Sequence, residues 1–487
     1  MTAASGDFAP VDDLFAELYA RGIAPGLAYA VIADGRLVHW GGLGGLTVAG
    51  PRPGPDSAFR IASMTKSFTA AALLALRDEG ALGLDDPIAR WVPELVDLGQ
   101  ATADSPPLTV RDLLTMSAGL PTDDAWADRQ LPLTPAGFEA LLRAGFRFAY
   151  APGTAFEYSN LGFAILGRVI AAAGGGDYRT IVERRLLDPL GLRATAFEAR
   201  AFAATELAIG HRRLDGAWAP LPFAGHGEFA AMGGLFSTPR DLARWIGEFT
   251  DAFPPRDEPA GEHPLSRATR REMQQAHRLL DPEALDESGA GPHAATAAGY
   301  GFGLVVELDE RLGAIVGHPG GLPGYGSGMC WHLRSGLGVV ALANATYAPM
   351  NDAAKRALRL VLAAAPPDTA LALWPETEAA RTGVIRLLER WDDDLAARLF
   401  SDNVAMDESF DRRRAQIAAL REQLGVLRPE PSTPLEASSP AAVTWWMRGE
   451  RGRLKVEIEL TPQRPPLVQT LVLTAVPNQA RDAITPA

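Results

Sequence analysis

The chain has 487 residues, which is long enough for two or three domains with a large core. Its net charge of −13 and isoelectric point of about 5.2 argue against nucleic acid and against a membrane surface as partners. The single cysteine, Cys330, excludes an internal disulfide, and the N-terminus lacks the basic and apolar regions of a signal peptide. We therefore expect a soluble protein of the cytoplasm.

Strand patterns occur at two distant places in the chain. Residues 26–48 predict two strands around the hairpin signal Asp34-Gly35, and residues 300–345 predict further strands. Residues 58–250 are mostly helical with loops, and residues 251–296, rich in Pro, Asp, Glu and Ala, predict an inserted loop region. Strands at both ends with helices between them imply an α+β fold, in which distant segments close one antiparallel sheet.

Lys66 is one of only three lysines among the 46 basic side chains, the others being Lys355 and Lys455. Where a plain positive charge is enough, this chain uses arginine, which is never deprotonated in a protein. A buried lysine can lose its proton and act as a base, and Lys66 follows Ser63 by three residues. The pattern Ser-x-x-Lys therefore predicts a serine nucleophile that a neutral amine activates.

The residues after Lys66 predict a buried helix, because positions 68–76 are almost all apolar and Gly80 supplies a glycine cap. Ser63 then lies near the start of this helix, with Lys66 one turn later on the same face. The positive end of the helix dipole favours both a serine alkoxide and a neutral lysine. Two simpler interpretations stay open: a chance Ser-x-x-Lys, and an N-cap serine followed by a solvated lysine.

A second polar motif, Tyr158-Ser159-Asn160, stands between a Pro-Gly turn and an apolar run that predicts another helix. A phenol can relay protons between a serine, a lysine and a leaving group. An asparagine can hydrogen-bond a substrate amide or hold the lysine. The simpler alternative is a turn tyrosine followed by an N-cap asparagine.

A third motif, Gly-His-Pro-Gly-Gly at residues 317–321, follows a strand-like run and precedes a glycine-rich turn. Glycines such as Gly320 and Gly321 at the edge of a strand let a substrate approach the backbone closely. A backbone N–H there can help to form an oxyanion hole. The simpler alternative is a hairpin turn that exposes His318.

The composition changes near residues 365–368. Residues 352–364 predict a helix that ends the first domain at residue 365, and residues 366–380 predict a linker. Residues 381–487 combine charged helices with two amphipathic strands and predict a small α+β accessory domain. This domain contains no catalytic motif, and Trp445 and Trp446 are interpreted as core residues.

Together and in this order, the three motifs resemble the signature of the serine β-lactamase and penicillin-binding-protein superfamily. The resemblance is to its class C branch, which includes family VIII esterases and D-aminopeptidases, and it covers roughly residues 8–365. It implies an antiparallel sheet flanked by helices beside an all-helical lobe, with the site between them. It also implies catalytic and substrate-binding roles at seven positions: Ser63, Lys66 and Tyr158 as catalytic residues, and Asn160, His318, Gly320 and Gly321 as substrate-binding residues.

One departure from the family pattern bears on the substrate. Many members have Lys-Thr-Gly as the third motif, whereas this chain has His318-Pro319-Gly320. A histidine is about half neutral near pH 7 and is a weaker anchor for a carboxylate than lysine. We therefore expect a hydrolase of small esters or amides, including D-amino acid derivatives, that works through an acyl-enzyme at Ser63.

Other functions stay open at this point. β-Lactamase or D,D-peptidase activity is the alternative within the family, and a catalytically silent peptide-binding or scaffold module is the alternative outside enzymology. The sequence has no His-Glu-x-x-His motif and no clustered Cys and His, so we expect neither a catalytic metal nor another cofactor. The sequence does not indicate an oligomeric state.

Overall fold

The computed structural model describes residues 7–259, 261–280, 297–364 and 371–478. The chain divides into two compact units, Met1–Pro367 and Asp368–Ala487. The first unit is built on an eight-stranded antiparallel sheet. In spatial order its strands are Arg36–Gly44, Gly26–Ala33, Gly338–Ala343, Tyr325–His332, Gly313–Leu322, Val305–Asp309, Ala297–Tyr300 and Arg278–Leu279.

The sheet confirms that distant segments of the chain pair with each other. Gly26–Ala33 is hydrogen-bonded to Gly338–Ala343, more than 300 residues later, with Val31 opposite Val339. Side chains alternate between the two faces of these strands, so both faces present apolar residues. Helices cover both faces, which accounts for the almost complete burial of the two strands.

One face of the sheet packs on the helices Ala9–Ala20 and Met350–Ala364. The other face packs on the helix Thr65–Asp78, here called the nucleophile helix, and on Pro239–Thr250. Beside them lies a helical lobe. Its helices are Val110–Leu114, Asp124–Ala127, Pro135–Ala144, Asn160–Gly174, Tyr178–Val182 and Ala230–Gly233, with short 3₁₀ turns at Ile88–Arg90, Pro93–Leu95 and Ala199–Ala201 and a π-helical turn at Glu183–Leu187.

Two sequence-based expectations need correction. The region 58–250 also contains two short strand pairs, Phe59–Arg60 with Phe236–Ser237 and His211–Leu214 with Ala217–Pro220. The region 251–296 is not only a loop, because a helix begins at Arg267 with the Ser266 hydroxyl accepting from the backbone of Thr269, and a short strand follows. Positions 281–296 of that region lie outside the described residues.

The second unit has its own core, in which Val384, Leu388, Trp445 and Val456 are buried. Its helices are Pro375–Glu389, Asp393–Leu399, Asp402–Asp407 and Phe410–Leu424. Its antiparallel sheet contains Arg428–Pro429, Glu436–Ser439, Ala442–Arg448, Gly452–Leu460 and Val468–Pro477. The first helix starts inside the range 366–380 that was predicted as a linker, because Pro375 suits the first helical position. Trp446 is only partly buried and lies under the guanidinium of Arg453.

No helix within the described ranges combines the length and the apolar character that a membrane crossing requires.

Candidate active site

Ser63 lies in a short 3₁₀ turn, Ala62–Met64, between the strand Phe59–Arg60 and the nucleophile helix. The residue before it, Ala62, has a φ of 49°, a left-handed conformation that costs energy for a residue with a side chain. The turn places Ser63 at the N-terminal end of the helix, where the residue is 9% exposed. The strained turn therefore presents the hydroxyl at the positive end of the helix dipole.

The amine of Lys66 is fully buried and is held by three acceptors. Its Nζ lies 3.1 Å from Ser63 Oγ, 2.6 Å from Asn160 Oδ1 and 2.9 Å from the carbonyl oxygen of Met232. The solvated lysine that the sequence left open is therefore wrong. Burial lowers the pKa of Lys66 to about 8, because the interior disfavours the charged form.

Three carboxylates oppose this shift of the Lys66 pKa. The negative charges of Asp124, Asp123 and Asp128 each favour the ammonium form. Burial also raises the pKa of Asp128 to about 6 and raises that of Asp123. Desolvation thus lowers the pKa of Lys66, and the three nearby carboxylates raise it. As a result, the amine can change its protonation state close to neutral pH.

Asn160 links these carboxylates to Lys66. Its Oδ1 accepts from Lys66, and its Nδ2 donates to Asp123 Oδ1 at 3.1 Å and to Asp124 Oδ1 at 2.6 Å. Asp123 also accepts from the backbone N–H groups of Asn160 and Leu161, so it caps the start of the helix Asn160–Gly174. This network fixes which end of the amide faces Lys66. Ser159, rather than Asn160, is the N-cap residue, with its hydroxyl accepting from Gly162.

Tyr158 lies beside the same amine, with Lys66 Nζ 4.9 Å from the centre of its ring. Burial is the main cause of a pKa well above the usual value for tyrosine, and Tyr300 and Asp124 raise it further. A hydrogen bond with Ser63 acts in the opposite direction. The phenol therefore keeps its proton in the resting site and can donate it.

His318 is buried, which contradicts the exposed hairpin histidine considered above. Its Nδ1 lies 2.6 Å from the carbonyl oxygen of Pro319, so Nδ1 carries the proton. Its Nε2 then accepts from the Tyr300 hydroxyl at 3.0 Å. Burial, helped by the charge of Lys66, lowers the pKa of His318 to about 3. The imidazole is neutral, and a substrate can bond to it only by breaking one of these two contacts.

Gly320 lets the third motif come close to the nucleophile. A Cβ at Gly320 would lie 2.5 Å from the carbonyl oxygen of Ile61 and would collide with Ser327, whose hydroxyl donates to the same carbonyl. The strand Gly313–Leu322 therefore packs against the turn before Ser63 only because this position has no side chain.

The register of the sheet determines which way the N–H of Gly321 points. Gly320 is opposite Ser327, and Gly321 is opposite Gly326. The backbone N–H and C=O groups of Gly326 face away from Gly321, toward Ala343 on the next strand. Because hydrogen-bonding directions alternate along an antiparallel strand, the N–H of Gly321 faces away from Tyr325–His332. On that side the neighbouring strand pairs only up to Gly317. The Gly321 N–H thus points to the open edge of the strand.

The structure brings six of the seven predicted site residues into one set of contacts around Lys66, and the seventh, Gly321, adjoins it. Ser63 and Asn160 bond to Lys66 directly, Tyr158 contacts its amine, His318 lies 6.2 Å from Tyr158 between ring centres, and Gly320 touches the Ser63 turn. Sequence reasoning missed Asp123, Asp124, Asp128 and Tyr300, because no local pattern connects them with the motifs. Within the described ranges, no group of three or more His, Cys, Asp or Glu residues is placed to hold a metal ion.

The site predicts a measurable pKa for Lys66. In protein labelled with carbon-13 at the ε position of its three lysines, the signal that Lys66→Met removes should titrate near pH 8. Asp128→Asn should lower this pKa, because one charge that favours the ammonium is gone. Asp215→Asn, in the exposed turn between the strands His211–Leu214 and Ala217–Pro220, should leave it unchanged. Titration near the ordinary value of about 10.4 would contradict the burial of the amine.

A profile of the Beta-lactamase family matches residues 11–364. D-alanyl-D-alanine-carboxypeptidase/endopeptidase AmpH of Escherichia coli (strain K12) is 29% identical over 203 residues, 41% of this chain and 50% of AmpH. Protein flp of Staphylococcus aureus (strain MW2) is 27% identical over 347 residues, 69% of this chain and 62% of flp. The chain thus spans half or somewhat more of these curated relatives.

Solved structures share the fold. The octameric penicillin-binding protein homologue from Pyrococcus abyssi has a TM-score of 0.64 at 22% identity and covers 96% of this chain and 99% of its own. The D-stereospecific amidohydrolase from Streptomyces sp. has a TM-score of 0.56 at 24% identity and covers 72% of this chain and 98% of its own. Both confirm the predicted architecture of sheet and helices. Because the family profile covers most of the 487 residues, the chain belongs to the Beta-lactamase family of serine hydrolases.

Proposed function

We propose that the protein hydrolyses small esters or amides through an acyl-enzyme on Ser63. The observation that carries the proposal is the 3.1 Å contact between Lys66 Nζ and Ser63 Oγ, together with a Lys66 pKa lowered to about 8. An amine that loses its proton near neutral pH, within reach of a hydroxyl, is a general base for that hydroxyl. A catalytically silent binding module would not need this pair.

The first half of the reaction makes the acyl-enzyme. Neutral Lys66 takes the proton of Ser63 as Oγ forms a bond to the substrate carbonyl carbon. The negative charge that develops on the carbonyl oxygen is stabilised by two backbone N–H groups, those of Ser63 and Gly321. Tyr158 then gives its proton to the leaving group as the bond to that group breaks, and Lys66 returns a proton to Tyr158.

The second half of the reaction uses water. Lys66, neutral again, accepts a proton from a water molecule that attacks the ester carbon on Ser63. The bond between that carbon and Ser63 Oγ breaks, Lys66 gives the proton to Oγ and is neutral again, and the acid product leaves. Asn160 supports both halves by keeping the amine aimed at Ser63, since its amide is fixed by Asp123 and Asp124.

The charges around Ser63 support substrates without a carboxylate beside the scissile bond. His318 is neutral and fully bonded, so it offers no fixed positive charge where many relatives have lysine. Asp123, Asp124 and Asp128 make the surroundings of Lys66 negative. Neutral esters and amides, and D-amino acid derivatives with a free ammonium, suit this field. The Streptomyces neighbour, named a D-stereospecific amidohydrolase, supports the same class.

D,D-carboxypeptidase activity is the second candidate, and the name of the E. coli relative AmpH supports it. A peptide that ends in D-alanine carries a carboxylate next to the bond that is cleaved. The neutral imidazole of His318 is the observation that separates the two candidates, because it gives that carboxylate no partner.

A substrate comparison tests the proposal. Purified protein should hydrolyse short nitrophenyl esters or D-amino acid amides with a kcat/KM at least about tenfold above that for nitrocefin, since one lost charge pair is worth about that factor. His318→Lys should reduce the difference in kcat/KM between these substrates and nitrocefin, because it restores a positive charge at this position. Efficient turnover of nitrocefin together with inert esters would show that the protein acts as a β-lactamase.

Replacing Lys66 tests the role of the base. Lys66→Arg should lower kcat/KM by about 10²–10⁴, as Lys66→Ala should, because a guanidinium keeps the charge but cannot accept a proton. Lys355→Arg is the matched control, since this lysine packs on the far side of the sheet in an ion pair with Glu307. Retention of most activity by Lys66→Arg would make Lys66 an electrostatic partner rather than a base.

A further inference from the structure

Tyr347 joins the two sides of the cleft beside the nucleophile. Tyr347 follows Gly338–Ala343, the last strand of the sheet in chain order. Its hydroxyl donates to Asp128 Oδ2 of the helical lobe at 2.6 Å. Its backbone N–H donates to the carbonyl oxygen of Tyr325, which fixes the start of the side chain on the sheet. Tyr347 is therefore anchored at both ends, although the residue is 47% exposed.

The ring of Tyr347 packs on the strand that carries the proposed oxyanion N–H. Its Cδ1 lies 2.8 Å from where a Cβ of Gly321 would be, so the missing side chain at Gly321 makes room for the ring. Tyr347 also has a φ of 50°, which a residue with a Cβ adopts at a cost. A strained backbone that is held by surrounding contacts is a frequent feature of binding sites.

The bond between Tyr347 and Asp128 is well supported by its surroundings. Asp128 is buried and ends the helix Asp124–Ala127. Asp124 accepts from the amide of Asn160, which in turn bonds to Lys66, so this end of the bridge lies near the reacting groups. Burial and the carboxylate raise the pKa of Tyr347 to about 12, so the phenol remains the donor across the whole working range of pH. The phenol is therefore still protonated, and can still donate to Asp128, at the pH at which Lys66 changes its protonation state.

Beyond the bridge lies a cavity of about 260 Å³ whose lining is largely apolar and also includes Arg60 and Arg129. Asp128 forms one part of its wall, and Leu322 and Tyr325, which flank the hairpin after Gly321, form another. Leu131 and Phe223 add further apolar surface to the lining. Tyr347 contacts two of the lining residues, through its hydroxyl at Asp128 and its backbone N–H at Tyr325, and its ring packs on the neighbouring Gly321.

We propose that Tyr347 is a specificity-determining residue that closes this end of the cleft and limits the size of the acyl group next to Ser63. The inference rests on the proposed acyl-enzyme. In that reaction the leaving group must face the proton donor Tyr158, and the carbonyl oxygen must face Gly321. The acyl chain then occupies the remaining side, where the tethered ring stands before the cavity.

The test is a series of nitrophenyl esters from acetate to octanoate. In the unchanged protein kcat/KM should fall as the acyl chain lengthens. Tyr347→Ala should raise the octanoate-to-acetate ratio of kcat/KM at least about tenfold, because a longer chain gains access to apolar surface. Tyr347→Phe keeps the ring but loses its bond to Asp128, so the ratio should rise by a smaller factor. Trp40→Ala is the matched control, because Trp40 has the same exposure, 47%, on the outermost strand of the sheet.

Two outcomes would overturn the inference. One is a ratio in Tyr347→Ala within about twofold of that in the unchanged protein, with the melting temperature and acetate hydrolysis retained. The other is an equal change in Trp40→Ala. If Tyr347→Ala does not fold, Tyr347→Phe provides the test. An unchanged octanoate-to-acetate ratio in that variant would mean that the hydrogen bond from Tyr347 to Asp128 does not limit the acyl group. Failure of the proposed function would give a different result, because then neither the unchanged protein nor any of the variants would react at Ser63.

Discussion

The site depends on a single buried amine. Lys66 has no exposed surface, and its three hydrogen-bond partners, from Ser63, Asn160 and Met232, are all uncharged. A buried charge without a directly bonded counter-charge is costly, so the neutral form gains weight. The carboxylates one step further away keep the ammonium accessible. The balance gives the amine a pKa of about 8, so it can accept and release a proton close to neutral pH, as the proposed reaction requires.

Several elements of the fold position the groups around Lys66. Asp123 caps the helix Asn160–Gly174 and also orients the amide of Asn160, so the same carboxylate fixes a helix and a partner of Lys66. The sheet contributes the glycine edge, where Gly320 allows the strand to touch the turn of Ser63. That edge belongs to the same sheet as Gly26–Ala33 and Gly338–Ala343, which pair although they are more than 300 residues apart. We therefore expect the site to form only when both ends of the first unit have folded together.

The parts of the site that sequence could predict are those fixed by local geometry. Ser63 and Lys66 are one helical turn apart, so their contact follows from spacing alone. The glycine motif at the edge of a strand and the pairing of distant strands could be predicted from the sequence pattern and the composition. The tautomer and bonding of His318 could not be predicted, because they depend on Tyr300 from another strand. Asp123 and Asp124 lie 36 or 37 residues before Asn160, and the Tyr347–Asp128 bridge spans 219 residues. Such contacts arise from tertiary packing and leave no local signal.

The most direct test of the account is the identity of the atom that becomes acylated. The protein should be exposed to a fluorophosphonate probe and digested, and the labelled peptide should be mapped by mass spectrometry. The account predicts one adduct, on Ser63, that forms faster as pH rises through about 8 and is absent in Ser63→Ala. An adduct on another residue, or labelling of Ser63→Ala at the original rate, would contradict it.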